Sequence, residues 1–102
     1  MDDQEELLDL IHPGEILQEE FLLPKGISMN RLALETGIPH SRISAIVRGA
    51  RSITGDTALR FGRFFGIDPQ FWMNLQASYD LRVARRQLGD RLEREVRPLK
   101  AG

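Results

Sequence analysis

Cysteine is absent from this sequence of 102 residues. Its absence excludes a disulfide scaffold, a thiolate metal site and a thiol nucleophile, and it is compatible with a reducing cytosolic compartment. The sequence also lacks a basic N-terminal region followed by a long apolar run. We therefore expect neither a signal peptide nor a transmembrane helix, and we predict a cytoplasmic protein with no membrane partner.

Histidine is scarce, and the sequence motifs of catalysis are missing. The two histidines, His12 and His40, fall in different predicted elements, and no cluster of cysteine and histidine appears. No phosphate-binding glycine loop, nucleophile elbow or paired-carboxylate motif stands out. We therefore predict a protein that is not an enzyme and that uses no metal and no cofactor.

Lysine and arginine are missing from the first 24 residues, which carry eight acids. Residues 25–63 instead hold seven bases against two acids, a net charge of +5, although the whole chain has a net charge of −1. Twelve of the fourteen bases are arginine, whose planar guanidinium suits phosphate and guanine. This asymmetry favours a nucleic-acid contact in the central segment, but a solvated helical surface explains the charge equally well at this point.

Strict alternation of apolar and polar residues is also missing, whereas apolar residues recur at helical spacing almost throughout. The pattern predicts an all-α fold. Prolines, glycines and capping residues divide it into five helices, at about 13–23, 29–36, 39–48, 55–65 and 69–88.

We expect these helices to form one domain over residues 11–88. The first ten residues carry five acids and no base. We expect this acidic segment to be disordered, with docking to a basic partner as the alternative. Residues 89–102 form a predicted C-terminal tail, where Gly89 and Pro98 interrupt an apolar seam from Leu88 through Leu92 and Val96.

The second and third predicted helices are short and are joined by a turn that contains glycine. Ala33 is expected where the two helices cross, because its small side chain allows a close approach. Gly37 is expected to make the sharp turn, and Ile38 to pack from the turn into the core. Ile43 and Ile46 anchor the third helix from below. Two helices joined in this way form the helix-turn-helix unit that reads the major groove of DNA.

Once these residues are assigned to the interior, the outward face of the third helix consists of His40, Ser41, Arg42, Ala45 and Arg48. Such helices point their N-terminal end into the groove, so His40 and Ser41 are candidates for contacts with base edges. Ala45 suits a thymine methyl group, while Arg42 and Arg48 can reach phosphates or guanine. Free N–H groups near Ser28 offer a further phosphate site.

The pattern Ser28, Leu32-Ala33, Gly37-Ile38, Ile43-Ser44, Ile46 and Gly49 resembles the lambda-repressor-like (Cro/C1 or XRE) helix-turn-helix. The flanking blocks resemble the HigA/VapI antitoxins over roughly residues 12–86. These blocks are His12–Leu17 followed by Glu20–Leu22, then Arg51–Arg60, then Phe71–Gln76 with Tyr79–Leu81.

The resemblance implies an antitoxin that binds double-stranded operator DNA, represses its own operon and neutralises a RelE-like mRNA-cleaving toxin. It implies DNA contacts at Ser28, His40, Ser41, Arg42, Ala45, Arg48, Arg51 and Ser52. Ala50 departs from the family pattern, which has a basic or polar residue there. Two alternatives stay open: a stand-alone repressor without a toxin partner, and a protein-interaction module that has lost its operator.

A homodimer on an inverted-repeat operator is expected, because one short helix-turn-helix covers too few base pairs for strong specificity. The last helix carries surplus apolar residues, and we predict the dimer interface at Phe71, Leu75, Tyr79 and Leu81. The aromatic residues of the last two helices are expected mostly in the core, with any exposed remainder marking an interface; they are Phe61, Phe64, Phe65, Phe71, Trp72 and Tyr79. We expect Asn74 and Gln76 to form hydrogen bonds at the surface or at an interface.

Overall fold

The computed structural model describes residues 11–100, which form helices and contain no strand. Helix α1 consists of Pro13–Ile16, a π-helical stretch Leu17–Leu22, and Leu23–Lys25; α2 is Met29–Thr36, α3 is His40–Val47, α4 is Gly55–Phe65, α5 is Pro69–Leu88 and α6 is Arg91–Glu95. All five predicted helices are therefore present. The predicted acidic segment 1–10 and the last two residues of the tail lie outside the described residues.

The short sixth helix lies in the predicted tail. Gly89, with φ 54° and ψ −131°, separates α6 from α5. Leu92 and Val96 are exposed, so the apolar seam does not continue as a buried one. None of the helices over residues 11–100 is long and apolar enough to cross a membrane.

Helix α1 continues past the end predicted for it at Leu23, although Pro24 follows there. A proline ring clashes with the carbonyl group four residues back, which predicts that a helix stops before it. Here a π-helical stretch comes first, and the N–H of Leu23 donates to Gln18, five residues back. The wider turn changes the direction of the carbonyl groups ahead of Pro24. The helix therefore continues past Pro24 to Lys25, and it ends at Gly26, which has φ 65°.

Capping side chains begin three helices at the positions that the sequence predicts. Ser28 Oγ accepts from the N–H of Arg31 at 3.0 Å before α2, and Asp68 Oδ1 accepts from Gln70 at 2.9 Å before α5. Thr54 Oγ1 accepts from the N–H of Thr57 at 3.4 Å before α4. These bonds satisfy N–H groups that a helix leaves unpaired at its start, and thereby fix where each helix begins.

All the helices from α1 to α5 contribute to one core, centred on Phe61 of α4 and Trp72 of α5. The two rings meet edge to face with centroids 5.2 Å apart, and Phe21 of α1 lies 4.9 Å from Trp72. The buried apolar residues are Leu17, Leu22, Leu32, Ala33, Ile38, Ile43, Ile46, Ile53, Ala58, Phe61 and Trp72. The prediction that the aromatic residues are mostly core holds in part: Phe61 and Trp72 are buried, Phe64 and Phe65 are partly buried against the core, and Phe71 is 36% exposed.

Gln76 corrects the expectation that it lies at the surface or at an interface. It is buried on α5, where its Oε1 accepts from the N–H of Ile53 at 2.8 Å and its Nε2 donates to Asp80 at 2.9 Å. The loop between α3 and α4 carries a buried N–H group at Ile53, and such a group needs an acceptor. Gln76 therefore ties α5 to the loop that follows α3. Asn74 is exposed, as expected, and accepts from Gln70.

Candidate nucleic-acid interface

The turn between α2 and α3 is closed by Gly37 and by Arg60 from α4. Gly37 has φ 74°, and its N–H donates to Ala33 at 3.0 Å. Arg60 Nη1 donates to the carbonyl of Thr36 at 2.7 Å, while its Nε contacts Asp56 at 2.7 Å. Gly37 could be predicted from the sequence, whereas Arg60 was predicted only as one of the positive charges of the central segment. The contact between Arg60 and Thr36 depends on the packing of α4 against α2.

Helix α3 buries one face and presents the other as the sequence predicts. Ile43 and Ile46 are fully buried, and Ile38 in the turn is 2% exposed. On the outward face His40, Ser41 and Arg48 are exposed, whereas Arg42 and Ala45 are half-buried. The other predicted DNA contacts, Ser28, Arg51 and Ser52, are also exposed.

Three arginines of this face and the following loop differ from Arg31 and Arg60 in their ion pairs. Arg31 pairs with Glu35 at 2.6 Å and Arg60 pairs with Asp56, each four residues apart on one helix. Within residues 11–100, no ion pair involves Arg42, Arg48 or Arg51. Their positive charge is therefore available to an anionic partner.

A cleft of about 350 Å³ lies beside α3 and is lined by Arg42, Arg51, Ser52, Thr54 and Thr57. The Nε atom of Arg42 is buried and has no hydrogen-bond partner in the described part of the chain. An unsatisfied buried N–H is costly, and an oxygen acceptor would relieve that cost. Two guanidinium groups beside hydroxyl groups form a set of donors that suits a phosphate.

The N-terminal end of α1 supports α3 from behind. His12 Nδ1 accepts from the N–H of Gly14 at 2.9 Å and so caps α1. A Cβ atom on Gly14 would overlap the carbonyl group of Ile46, so the two backbones are in direct contact. Burial lowers the pKa of His12, against the opposing influence of Asp80 and Glu15. Histidine is not among the usual capping residues, so sequence reasoning missed this role.

The predicted dimer residues on α5 differ in how much surface they leave open. Leu81 is 55% exposed and Phe71 is 36% exposed, whereas Leu75 and Tyr79 are half-buried. The latter two line a cavity of about 150 Å³ together with Ile11, Pro13, Ile16, Ser78 and Arg82. Trp72 and Gln76, on the same side of the helix as Leu75 and Tyr79, are the buried residues of α5, and Leu75 also packs against the core. Over residues 11–100, no group of three or more acidic or histidine side chains is placed to hold a metal ion.

Comparison with known proteins identifies the family. The Helix-turn-helix family matches residues 18–72, more than half of the chain. Virulence-associated protein I of Dichelobacter nodosus is 55% identical over 74 residues, which cover 72% of this chain and 68% of that protein.

Two solved structures are similar over most of the chain. An addiction module antidote protein of the HigA family from Coxiella burnetii is 52% identical with a TM-score of 0.82, covering 87% of this chain and 97% of that one. The antitoxin HigA of Pseudomonas aeruginosa, solved with the higBA promoter, is 44% identical with a TM-score of 0.84, covering 88% and 98%. The chain therefore belongs to the helix-turn-helix family that includes the HigA antitoxins and virulence-associated protein I.

Proposed function

We propose that this chain is a DNA-binding antitoxin that represses its own operon and neutralises a RelE-like, mRNA-cleaving toxin. The observation that carries the DNA part is the outward face of α3 and the following loop, where three arginines have no ion pair within residues 11–100. The similarity to the HigA of Pseudomonas aeruginosa, which was solved with its promoter, supports the same function. Catalysis has no part in the proposal.

The proposed docking places the N-terminal end of α3 in the major groove. His40 and Ser41 then face base edges, and Ala45 contacts a thymine methyl group. Arg48 reaches a phosphate at the far end of the helix. Two further phosphate contacts complete the footprint: the N-terminal end of α2 at Ser28, and the cleft formed by Arg42, Arg51 and Ser52.

A homodimer brings two such helices to an inverted repeat. Half-sites one helical turn apart, about 34 Å from centre to centre, match the two-fold symmetry of a dimer. We propose that Phe71, Leu75, Tyr79 and Leu81 of α5 form the contact between the copies. The exposure of Leu81 and Phe71 supports this assignment, since it leaves both apolar side chains open to a second copy.

The toxin part of the proposal is supported by the relatives that are antitoxins. A toxin that cleaves mRNA on the ribosome would be basic, and the first 24 residues of this chain carry eight acids and no base. Opposite charges of this kind accelerate and direct association. The acidic N-terminal region is therefore proposed as part of the toxin-binding surface.

Two measurements test the two parts separately. Fluorescence anisotropy should show tighter binding to the DNA upstream of this gene than to a shuffled duplex of equal length. Expression of the basic, RelE-sized protein encoded beside the gene should arrest growth, and co-expression of this chain should restore it. Binding to DNA without growth rescue would favour a stand-alone repressor, whereas rescue without DNA binding would contradict autorepression.

A further inference from the structure

The C-terminal end of α3 rests on the segment His12–Gly14. A Cβ atom on Gly14 would overlap the carbonyl group of Ile46 and would lie 3.0 Å from the Cα of Val47. One turn later, a Cβ on Gly49 would lie 3.6 Å from Cγ of the His12 imidazole. The start of α1 therefore contacts both the last turn of α3 and the backbone of the loop that leads to Arg51.

The imidazole of His12 can support this contact only when the ring is neutral. Its Nδ1 accepts the N–H of Gly14, and an imidazolium ion has no acceptor. His12 is 9% exposed, and its ring lies against Tyr79, with ring centroids 4.9 Å apart and planes at 71°. A second proton would therefore remove the cap of α1 and place a charge in a largely buried site.

Charged and titratable groups from three elements face the ring. Glu15 belongs to α1, Tyr79 and Asp80 belong to α5, and Arg48 at the end of α3 lines a cavity with His12 and Gly49. Burial lowers the pKa of His12 from 6.5, although the two carboxylates act in the opposite direction. The stabilisation given by the neutral ring is therefore complete above about pH 6.5, and it is lost as the pH falls below that value.

We propose that His12 is a positioning residue for operator binding: its neutral ring fixes the end of α3 and the Arg51 loop, and its protonation releases them. This inference rests on the proposed DNA-binding function. It explains why a histidine occupies the cap, where asparagine or serine would bond as well. It also gives the chain an operator affinity that falls in acidic conditions.

The direction of the effect distinguishes this proposal from simple charge attraction. A histidine that gains a proton beside DNA adds a positive charge and strengthens binding. His40 lies exposed at the start of α3, on the proposed DNA face. Protonation of His12 should act in the opposite direction, because it weakens the support of α3.

The experiment compares the wild-type chain with His12→Asn, which keeps a capping oxygen but does not titrate. Operator affinity is measured by fluorescence anisotropy at pH 8.0 and pH 5.5 at constant ionic strength. Both proteins retain His40, so its contribution cancels in the comparison. We expect the wild type to lose more affinity than His12→Asn between pH 8.0 and pH 5.5, up to about 5-fold more, which is the effect of one lost cap. His12→Ala should be weaker at both values.

Circular dichroism at both pH values separates positioning from unfolding. Wild-type helix content should stay constant between pH 8.0 and pH 5.5 while the affinity falls. Equal pH dependence in the wild type and His12→Asn, or a loss of helix content that parallels the loss of affinity, would overturn the inference alone. Absence of wild-type binding at pH 8.0 would instead refute the proposed function, and the inference with it.

Discussion

At the scale of single residues, Gly14 is the glycine with the least space for a Cβ atom. Gly14→Ala should destabilise the protein by about 1–3 kcal/mol or more, because the added methyl group must displace the backbone of α3 at Ile46. Urea unfolding measures the change. Gly55→Ala is the matched control, since a Cβ there has open space around it. If both variants unfolded at the same urea concentration, the contact between α1 and α3 would not exist as described.

Arg48 is the residue that best separates phosphate contact from base reading. Arg48→Ala should weaken binding to all sequences similarly and lower the slope of affinity against salt by about 1 per half-site. His40→Ala should instead relax the preference at one base pair, by about 1–3 kcal/mol per half-site. Titrations of operator and shuffled duplexes at several salt concentrations measure both effects.

Arg63→Ala removes the same charge from α4, where Arg63 lines a separate cleft with Glu35 and Phe64. This control should leave the salt slope nearly unchanged. The proposed docking would be wrong if Arg48→Ala lost sequence preference and yet kept the wild-type salt dependence.

At the scale of elements, the sequence predicts α2 and α3 to within a residue, because local signals set their ends. Ser28 caps α2, Gly37 ends it with a positive φ, and Ile43 and Ile46 mark the buried face of α3. The outward face follows by elimination, so the positions of the candidate DNA contacts could also be predicted.

Features that depend on packing between distant elements could not be predicted from local signals. The burial of Gln76 depends on a loop more than 20 residues earlier in the chain, and the hydrogen bond of Arg60 depends on the end of α2. The continuation of α1 through Pro24 depends on a π-helical stretch whose residues show no sequence mark of their own. Likewise, the cap formed by His12 lies outside the residues usually chosen for that position.

The exposed part of α5 gives a prediction at the same scale. Leu81→Glu should dissociate the proposed dimer, since a carboxylate at the contact would be desolvated without a partner. Light scattering at micromolar concentration measures the mass. Leu34→Glu on α2 is the control, because Leu34 is 78% exposed and is not one of the residues proposed for the dimer contact. A variant Leu81→Glu that kept the mass of a dimer would place the contact elsewhere, with the tail beyond Gly89 as the next candidate.

At the scale of the whole molecule, the described residues 11–100 form an elongated shape. Its radius of gyration is 16.7 Å and its principal extents are 53, 34 and 22 Å, whereas a compact chain of about 100 residues has a radius near 13 Å. The second half of α5 and the whole of α6 are largely exposed. The core of helices α1 to α5 carries the candidate DNA face, and we propose that the exposed part of α5 is the surface that meets a second copy.

The measurement that tests the central claim most directly is a footprint of this protein on the DNA upstream of its own gene. Two protected half-sites related by inverted symmetry, with centres about 34 Å apart, are the expected result. Arg48→Ala should lose both half-sites together at concentrations where Arg63→Ala keeps them. If the folded protein gave no protection upstream of the gene or its operon, this result would contradict the account.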